Sequence, residues 1–367
     1  MTAKRRATRY HKATIVRVAI VVFAVVMAVI PLPRAFVEEV YSQGAYPIVR
    51  RLVTGISSLT DLVLFDLLLI GGLIAPPAWW IFRLSRAPRG GRLRVLASLA
   101  GRTMAVTATL YLVFLATWGL NYRRVSLAAG LGYAESRITQ PVLESLTVAA
   151  IEHLNRLYDS TQDQTWPQLA DLPVRLGTPF ERVQRWLGVS PATPGLVPRR
   201  SVLTPYFRRA GVDGMVDPFF LQILVNETVL PFERPFVTAH EWAHVAGFAH
   251  EAEANFVAWL TCLEGDDMMR YSAWSFLVPR LLAALPDAAQ RRLSAALGPG
   301  PRADFAAVRA RLSRTIPIVR RNARRLNDRY LRANRVASGV ASYGEVLQLA
   351  VGTDLGRRQW RAPLPGQ

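Results

Sequence analysis

The chain has 367 residues, is 51% hydrophobic and 19% charged, and sets 45 Lys+Arg against 26 Asp+Glu. This length allows about two domains, each able to bury a core. The single cysteine excludes an internal disulfide framework and a multi-Cys zinc site. A net charge of +19 on so apolar a chain fits neither a disordered basic tail nor an ordinary soluble enzyme.

The first 121 residues hold 15 basic and 4 acidic side chains, and they also hold the long apolar runs. Three stretches, about 15–32, 62–82 and 103–120, approach the roughly 20 apolar residues that a bilayer span needs. Trp79, Trp80, Trp118 and Tyr122 fall near span ends, where aromatic rings suit the headgroup region. Basic residues crowd before the first span (Lys4 to Arg17) and between the second and third (Arg83 to Arg94). The positive-inside rule then places the N-terminus in the cytoplasm and everything after Tyr122 outside the inner membrane. No small-x-small cleavage site follows the first run, so an uncleaved multi-pass anchor is expected. Near one end of the second span, Asp66 reads as a solvated or partly neutral carboxyl rather than a proton relay.

Residues 122–367 are more polar and mostly helical in pattern. LESLTVAAIEHLNRLYD (144–159) has helical spacing, and FERVQRWLG (180–188) ends on a glycine stop. Pro-rich VSPATPGLVPRR (189–200) reads as a loop, and MVDPFFLQILVN (215–226) is the best strand or hairpin candidate. The fold expected is mainly α, with a membrane domain over 1–121 and an extracytoplasmic, helix-rich α+β domain over 122–367.

The chemistry concentrates in PFVTAHEWAHVAGFAHEAEANFVAWL (235–260), where His240-Glu241-x-x-His244 forms an HExxH motif. Residues four apart share a helix face, so both imidazoles can meet one metal ion, with Glu241 beside it as general base. Two third ligands compete. The spacing HExxHxxGxxH would use His250 through a turn at Gly247, with Met268-Met269 as a downstream Met-turn. Alternatively Glu251, opening a second helix, would complete the set, with Asn255 one turn on to orient a liganding histidine. The continuous apolar run after EAEAN favours Glu251; Glu253 is a lesser candidate whose side chain should point elsewhere. Cys262 reads as a buried apolar residue. Tyr271, Arg270 and Tyr343 are candidate oxyanion donors, and the basic stretch RRNARRLNDRYLRANR (320–335) reads as a solvated face.

The chain resembles an uncharacterised family of bacterial membrane proteins, a domain of unknown function that looks like gluzincin-type HExxH zinc metallopeptidases. The matching pieces are VEEVYSQGAYP (37–47), SLTDLVLFDLLL (58–69), WGLNYRR (118–124), GVDGMVDPFFLQILVNETVLPFERPFVTAHEWAHVAGFAHEAEANF (211–256) and RYLRANRVASGVASYGEVLQL (329–349). The resemblance implies a zincin-like (α+β) metallopeptidase domain over 122–367, with Zn2+ held by His240, His244 and Glu251, Glu241 as base, and a strand within Phe219 to Asn226 that binds extended peptide or is an ordinary core strand. The function expected is peptide-bond hydrolysis by zinc-activated water, on an unknown peptide or protein substrate. A zinc-stabilised envelope scaffold without turnover and a hydrolase of a non-peptide amide are the alternatives. The lipid bilayer is the expected partner, and nucleic acid is not.

Overall fold

A computed structural model describes residues 3–189, 195–336 and 346–353, and the fold is mainly helical. Helix α1 (Ala3–Val29) stops short of the expected Leu32, because Pro31 and Pro33 cannot donate to a continuing ladder. Its side chains Ile15, Val18, Val22 and Val25 are each more than half exposed. The chain then winds through wide π-helical turns (Val37–Ala45) into α2 (Tyr46–Ser57). The second and third apolar runs form α3 (Leu64–Ser85) and α4 (Arg92–Thr117), and α4 takes up part of the Arg-rich stretch before the expected span. With α1, these make three helices long and apolar enough to cross a membrane. The indole Nε1 of Trp80 on α3 donates to Thr103 Oγ1 on α4 at 3.1 Å.

The remaining described residues form one body around a shared apolar core. Helix α5 (Gln140–Thr161) and α6 (Leu172–Trp186) lead to the short α7 (Thr204–Ala210). A hairpin follows, β1 (Gly214–Val216) antiparallel to β2 (Ile223–Val225), with Gly214 opposite Val225 and Val216 opposite Ile223. It lies inside the region that strand propensity marks. Asp217 builds its turn by accepting the backbone N–H groups of Phe219, Phe220 and Gln222. Arg199 bridges the other side of β2. Among the described residues the sheet goes no further.

Helix α8 (Arg234–Val245) carries the HExxH motif, and α9 (Glu251–Leu263) buries every residue from Ala252 to Cys262. It is enclosed by α6, α8 and α10 (Asp267–Ala283) and by α14 (Val346–Gly352). Between them in sequence come α11 (Asp287–Ser294), α12 (Pro299–Ser313) and the Arg-rich α13 (Pro317–Ala333).

All three apolar helices meet this body at the same end. Arg123 donates to the Met27 carbonyl of α1 at 2.9 Å, and Thr117 at the end of α4 donates to Pro218 O. The start of α3 is latched more firmly. Asp66 is buried, accepting from Ser201 Oγ at 2.6 Å and from the Val202 N–H at 2.9 Å, while Leu64 N–H donates to Gln222 Oε1 at 2.7 Å. The expected solvated carboxyl is therefore corrected: Asp66 is a joint between span and outer body. Since α3 then runs away for about 33 Å at 1.5 Å per residue, the Arg-rich link to α4 lies at the opposite end.

Candidate metal centre

The site begins with two backbone events. Leu230 N–H donates to Glu233 Oε2 at 3.0 Å, and Pro235 sits in the first turn, so α8 starts cleanly. It ends at Val245, and Gly247 at φ +99° turns the chain back so that α9 starts beside α8. A side chain at Gly247 would also press on Tyr46 and Asn121.

That reversal brings His240, His244 and Glu251 together, with one donor atom from each within 4.8 Å of the others. Glu251 Oε2 lies 3.3 Å from His240 Nε2 and 3.6 Å from His244 Nε2. Yet Glu251 Oε2 is buried without a hydrogen bond of acceptable geometry. The three atoms thus converge on a common point instead of bonding one another. Ligands about 2.0–2.1 Å from a tetrahedral ion stand roughly 3.3 Å apart, so this group can hold a metal ion.

His244 is held from behind. Its Nδ1 lies 2.8 Å from the Phe248 carbonyl, so in the neutral ring this nitrogen carries the proton and Nε2 is the lone pair a metal ion would take. Trp118 packs against the same ring, with centroids 5.6 Å apart. Asn255 is buried as the polar neighbour of His240, whose Nδ1 has no hydrogen bond of good geometry. Burial pushes His240 below the ordinary histidine range, helped by the neighbouring His244. For His244 burial acts in the same direction, but hydrogen bonding and charge from Glu251 prevail and raise it to about 9. Glu251 is held well below the carboxylate range by the two histidines, against the effect of burial.

Glu241 lies one residue along, buried, with Oε2 unpartnered. Burial raises its carboxyl to about 8, and a dication in the cluster would draw it down again. β1 packs directly over it, and a Cβ at Gly214 would collide with Glu241 Oε1. The backbone of β1, not that of Phe219 to Asn226, is therefore the strand beside the candidate base. Asp213–Asn226 and Asp217–Gln222 bonds fix the ladder's alternation, so the main-chain groups of Gly214 and Val216 point away from β2.

The other candidates separate clearly. His250 caps the start of α9 outside the cluster, its ring edge-on to Tyr122 at 5.7 Å. Met268 and Met269 are buried in the first turn of α10 and form no Met-turn. Glu253 points away as expected, accepting from the Leu127 N–H at 2.6 Å. Cys262 is buried. Tyr271 cannot donate into the site because its hydroxyl is bonded to Asp304 at 2.5 Å, and Arg270 donates to Leu263 O. Tyr343 lies outside the described residues. The tyrosines that do feel the charge of Glu251 are Tyr122 and Tyr330, both raised chiefly by burial, Tyr330 to about 12. Sequence reasoning passed over Tyr330 because it sits in the basic stretch; Trp118 and Tyr122 lay within the WGLNYRR piece.

Tyr46, from between the first two apolar helices, and Arg124, just after the third, brace the motif's helix. Tyr46 donates to the Val245 carbonyl at 2.9 Å, and Arg124 to the Gly247 carbonyl at 3.2 Å, so the last turn of α8 is capped from outside. A two-pronged ion pair with Glu38, at 2.7 and 2.9 Å, holds Arg124 in place.

No curated protein and no solved structure matches the chain. A family pattern matches residues 41–351, taking in the Tyr46 brace, the HExxH helix and Glu251 together, and by that match the chain belongs to the family described as a protein of unknown function, DUF3810.

Proposed function

We propose that the protein is a membrane-anchored zinc-dependent peptidase, its metal held by His240, His244 and Glu251. The observation that carries this reading is the convergence of three ligand atoms beside a buried, unpartnered Glu241. Two imidazoles and one carboxylate suit zinc, and three protein ligands leave a position open, whereas a structural zinc site closes with a fourth. When bound, zinc supplies an electrophilic centre that acidifies water and polarises a carbonyl.

The chain's own residues then divide the work. The Phe248 carbonyl fixes the tautomer of His244, and Asn255 orients His240. Glu241 takes the proton from the attacking water and delivers it to the leaving amine. The free edge of β1 offers main-chain partners to an extended peptide directly over Glu241. Tyr122 and Tyr330, whose hydroxyls feel the charge of Glu251, are the candidates to steady charge developing on the substrate oxygen. We assign the body to the outer side of the inner membrane, since the Arg-rich link lies at the opposite end of the three helices.

The test compares the full-length protein with Glu241→Gln in zinc content and in cleavage of an envelope proteome. Retained zinc with cleavage lost by at least about a hundredfold is expected. Equal cleavage by both proteins would overturn the reading.

A further inference from the structure

A cavity of about 240 Å³ opens where the apolar helices meet the outer body, lined by Tyr111, Phe114, Arg123, Tyr330, Asn334 and Arg335 among others. Two guanidinium groups share it, and among the described residues no Asp or Glu lines it. Arg123 is buried, and although its Nη2 donates to the Met27 carbonyl, its Nη1 has no hydrogen-bond partner of good geometry among the described residues. Burial lowers the Arg123 pKa, and the charge of Arg335 lowers it further. A buried cation facing a second cation is costly until an anion joins them.

Arg335 adds an independent sign. It stands just past the end of α13, where Val336 N–H closes back on the Leu331 carbonyl at 3.0 Å. Such a left-handed position favours glycine, yet Arg335 occupies it at φ +71°. That conformation is strained for a residue with a side chain. What the side chain gains is reach across to the end of α1, where it donates to Ala28 O at 3.2 Å and Ile30 O at 3.1 Å.

We infer that this cavity binds the phosphate group of a lipid, with Arg123 and Arg335 as its paired donors. Phosphate suits two guanidinium forks, and Tyr111 supplies a hydroxyl beside Arg123. The depth argues for a lipid over free phosphate. Tyr111 and Phe114 belong to the last two turns of α4, and Arg123 and Arg335 both donate to carbonyls at the end of α1, so a headgroup would enter level with its own layer. Its acyl chains would lie along the exposed apolar faces below.

The experiment is native mass spectrometry of the full-length protein in detergent, titrated with phosphatidylglycerol, with diacylglycerol and with inorganic phosphate. Phosphatidylglycerol should bind, with affinity reduced at least about tenfold in Arg123→Gln and in Arg335→Gln. Arg324→Gln, which removes an equal charge from the exposed face of α13, should bind as wild type does. Diacylglycerol, lacking the phosphate, should not bind. Binding of inorganic phosphate alone, with the same dependence on both arginines, would keep the anion site and overturn the lipid. Phosphatidylglycerol binding that is unchanged in both variants, or equally weakened in Arg324→Gln, would overturn the site itself. If circular dichroism shows that Arg335→Gln misfolds, Arg335→Lys serves in its place. That variant keeps the charge without the planar fork, and an affinity equal to wild type would then count against the pairing.

Discussion

Helices α3 and α9 are both rich in apolar residues, and they are turned inside out relative to each other. In α9 the apolar residues Phe256, Val257, Trp259 and Leu260 are all buried. In α3 the one buried residue is the charged Asp66, while Leu67, Leu73, Ile74 and Ile81 are exposed. Helix α2 follows the same inverted pattern: Tyr46, Arg50, Thr54 and Ser57 face inward and Ile48, Leu52 and Ile56 face out. Hydropathy alone therefore does not say where a side chain goes. It says what the side chain avoids, and a bilayer around α3 satisfies that as well as a core does around α9. The polar groups are then what tie the membrane helices to the body, because within lipid only they have a strong reason to pair.

The largest test concerns the polar end of α9. Glu251→Ala removes one of three converging ligands, and zinc content of the purified protein should fall to background. His250→Ala, one residue earlier, should retain its metal; loss in that variant alone would overturn the ligand set. The metal-free cluster gives a pH signature as well. With His244 raised to about 9 from its ordinary 6.5, the metal-free group holds a proton at pH 7.5. The stability this proton confers is fully present below 6.5 and disappears as pH rises through 9. Zinc must displace it and also draws down Glu241, itself raised to about 8, so adding zinc at pH 7.5 should release between about one and two protons, and affinity should rise between pH 6.5 and 9. Uptake in weak buffer with a pH indicator measures both, and release that stays at zero would refute the protonated pair.

Next comes the apolar interior of α9. Leu260→Ala should destabilise the folded protein by about 2–5 kcal/mol, since it empties space in a core that cannot collapse fully. Asp66→Leu follows, at about 2–4 kcal/mol, although it makes α3 more apolar. The cost arises because Ser201 Oγ and the Val202 N–H lose a buried acceptor. Thermal unfolding in nanodiscs measures both changes. An Asp66→Leu protein as stable as wild type would mean that the latch does not hold α3 to the body.

The contrast also marks what could be read from the sequence. The three apolar helices were legible because their length and lack of charge leave few other uses for them. So was the HExxH helix, whose spacing of four puts both imidazoles on one face, and so was Glu251, placed by the run that follows EAEAN. The hairpin near Met215 was legible too, from β-branched residues around a turn. The brace on α8 was not, because Tyr46 and Arg50 act through carbonyls far along the chain and leave no local spacing to recognise. Asp66 was misread for a related reason: one carboxylate near a span end looks solvated until Ser201 is known to stand opposite it. Tyr330 was hidden by its arginine neighbours. In each case the missing information was a partner distant in sequence, which neither periodicity nor composition records.

The smallest effect is the most direct probe of the comparison. Leu73 lies on α3 with 67% of its surface exposed, and Leu260 lies on α9 at 1%. The same truncation to alanine should cost Leu73 no more than about 0.5 kcal/mol in nanodiscs, because lipid chains close around the shorter side chain and leave no cavity. If α3 instead packed against an apolar partner, Leu73→Ala would show the cavity cost of a core position and approach the Leu260→Ala value. Unfolding both variants in lipid and in detergent separates the two cases. A penalty at Leu73 that persists in both solvents would mean that a protein surface, and not the bilayer, covers this face of α3.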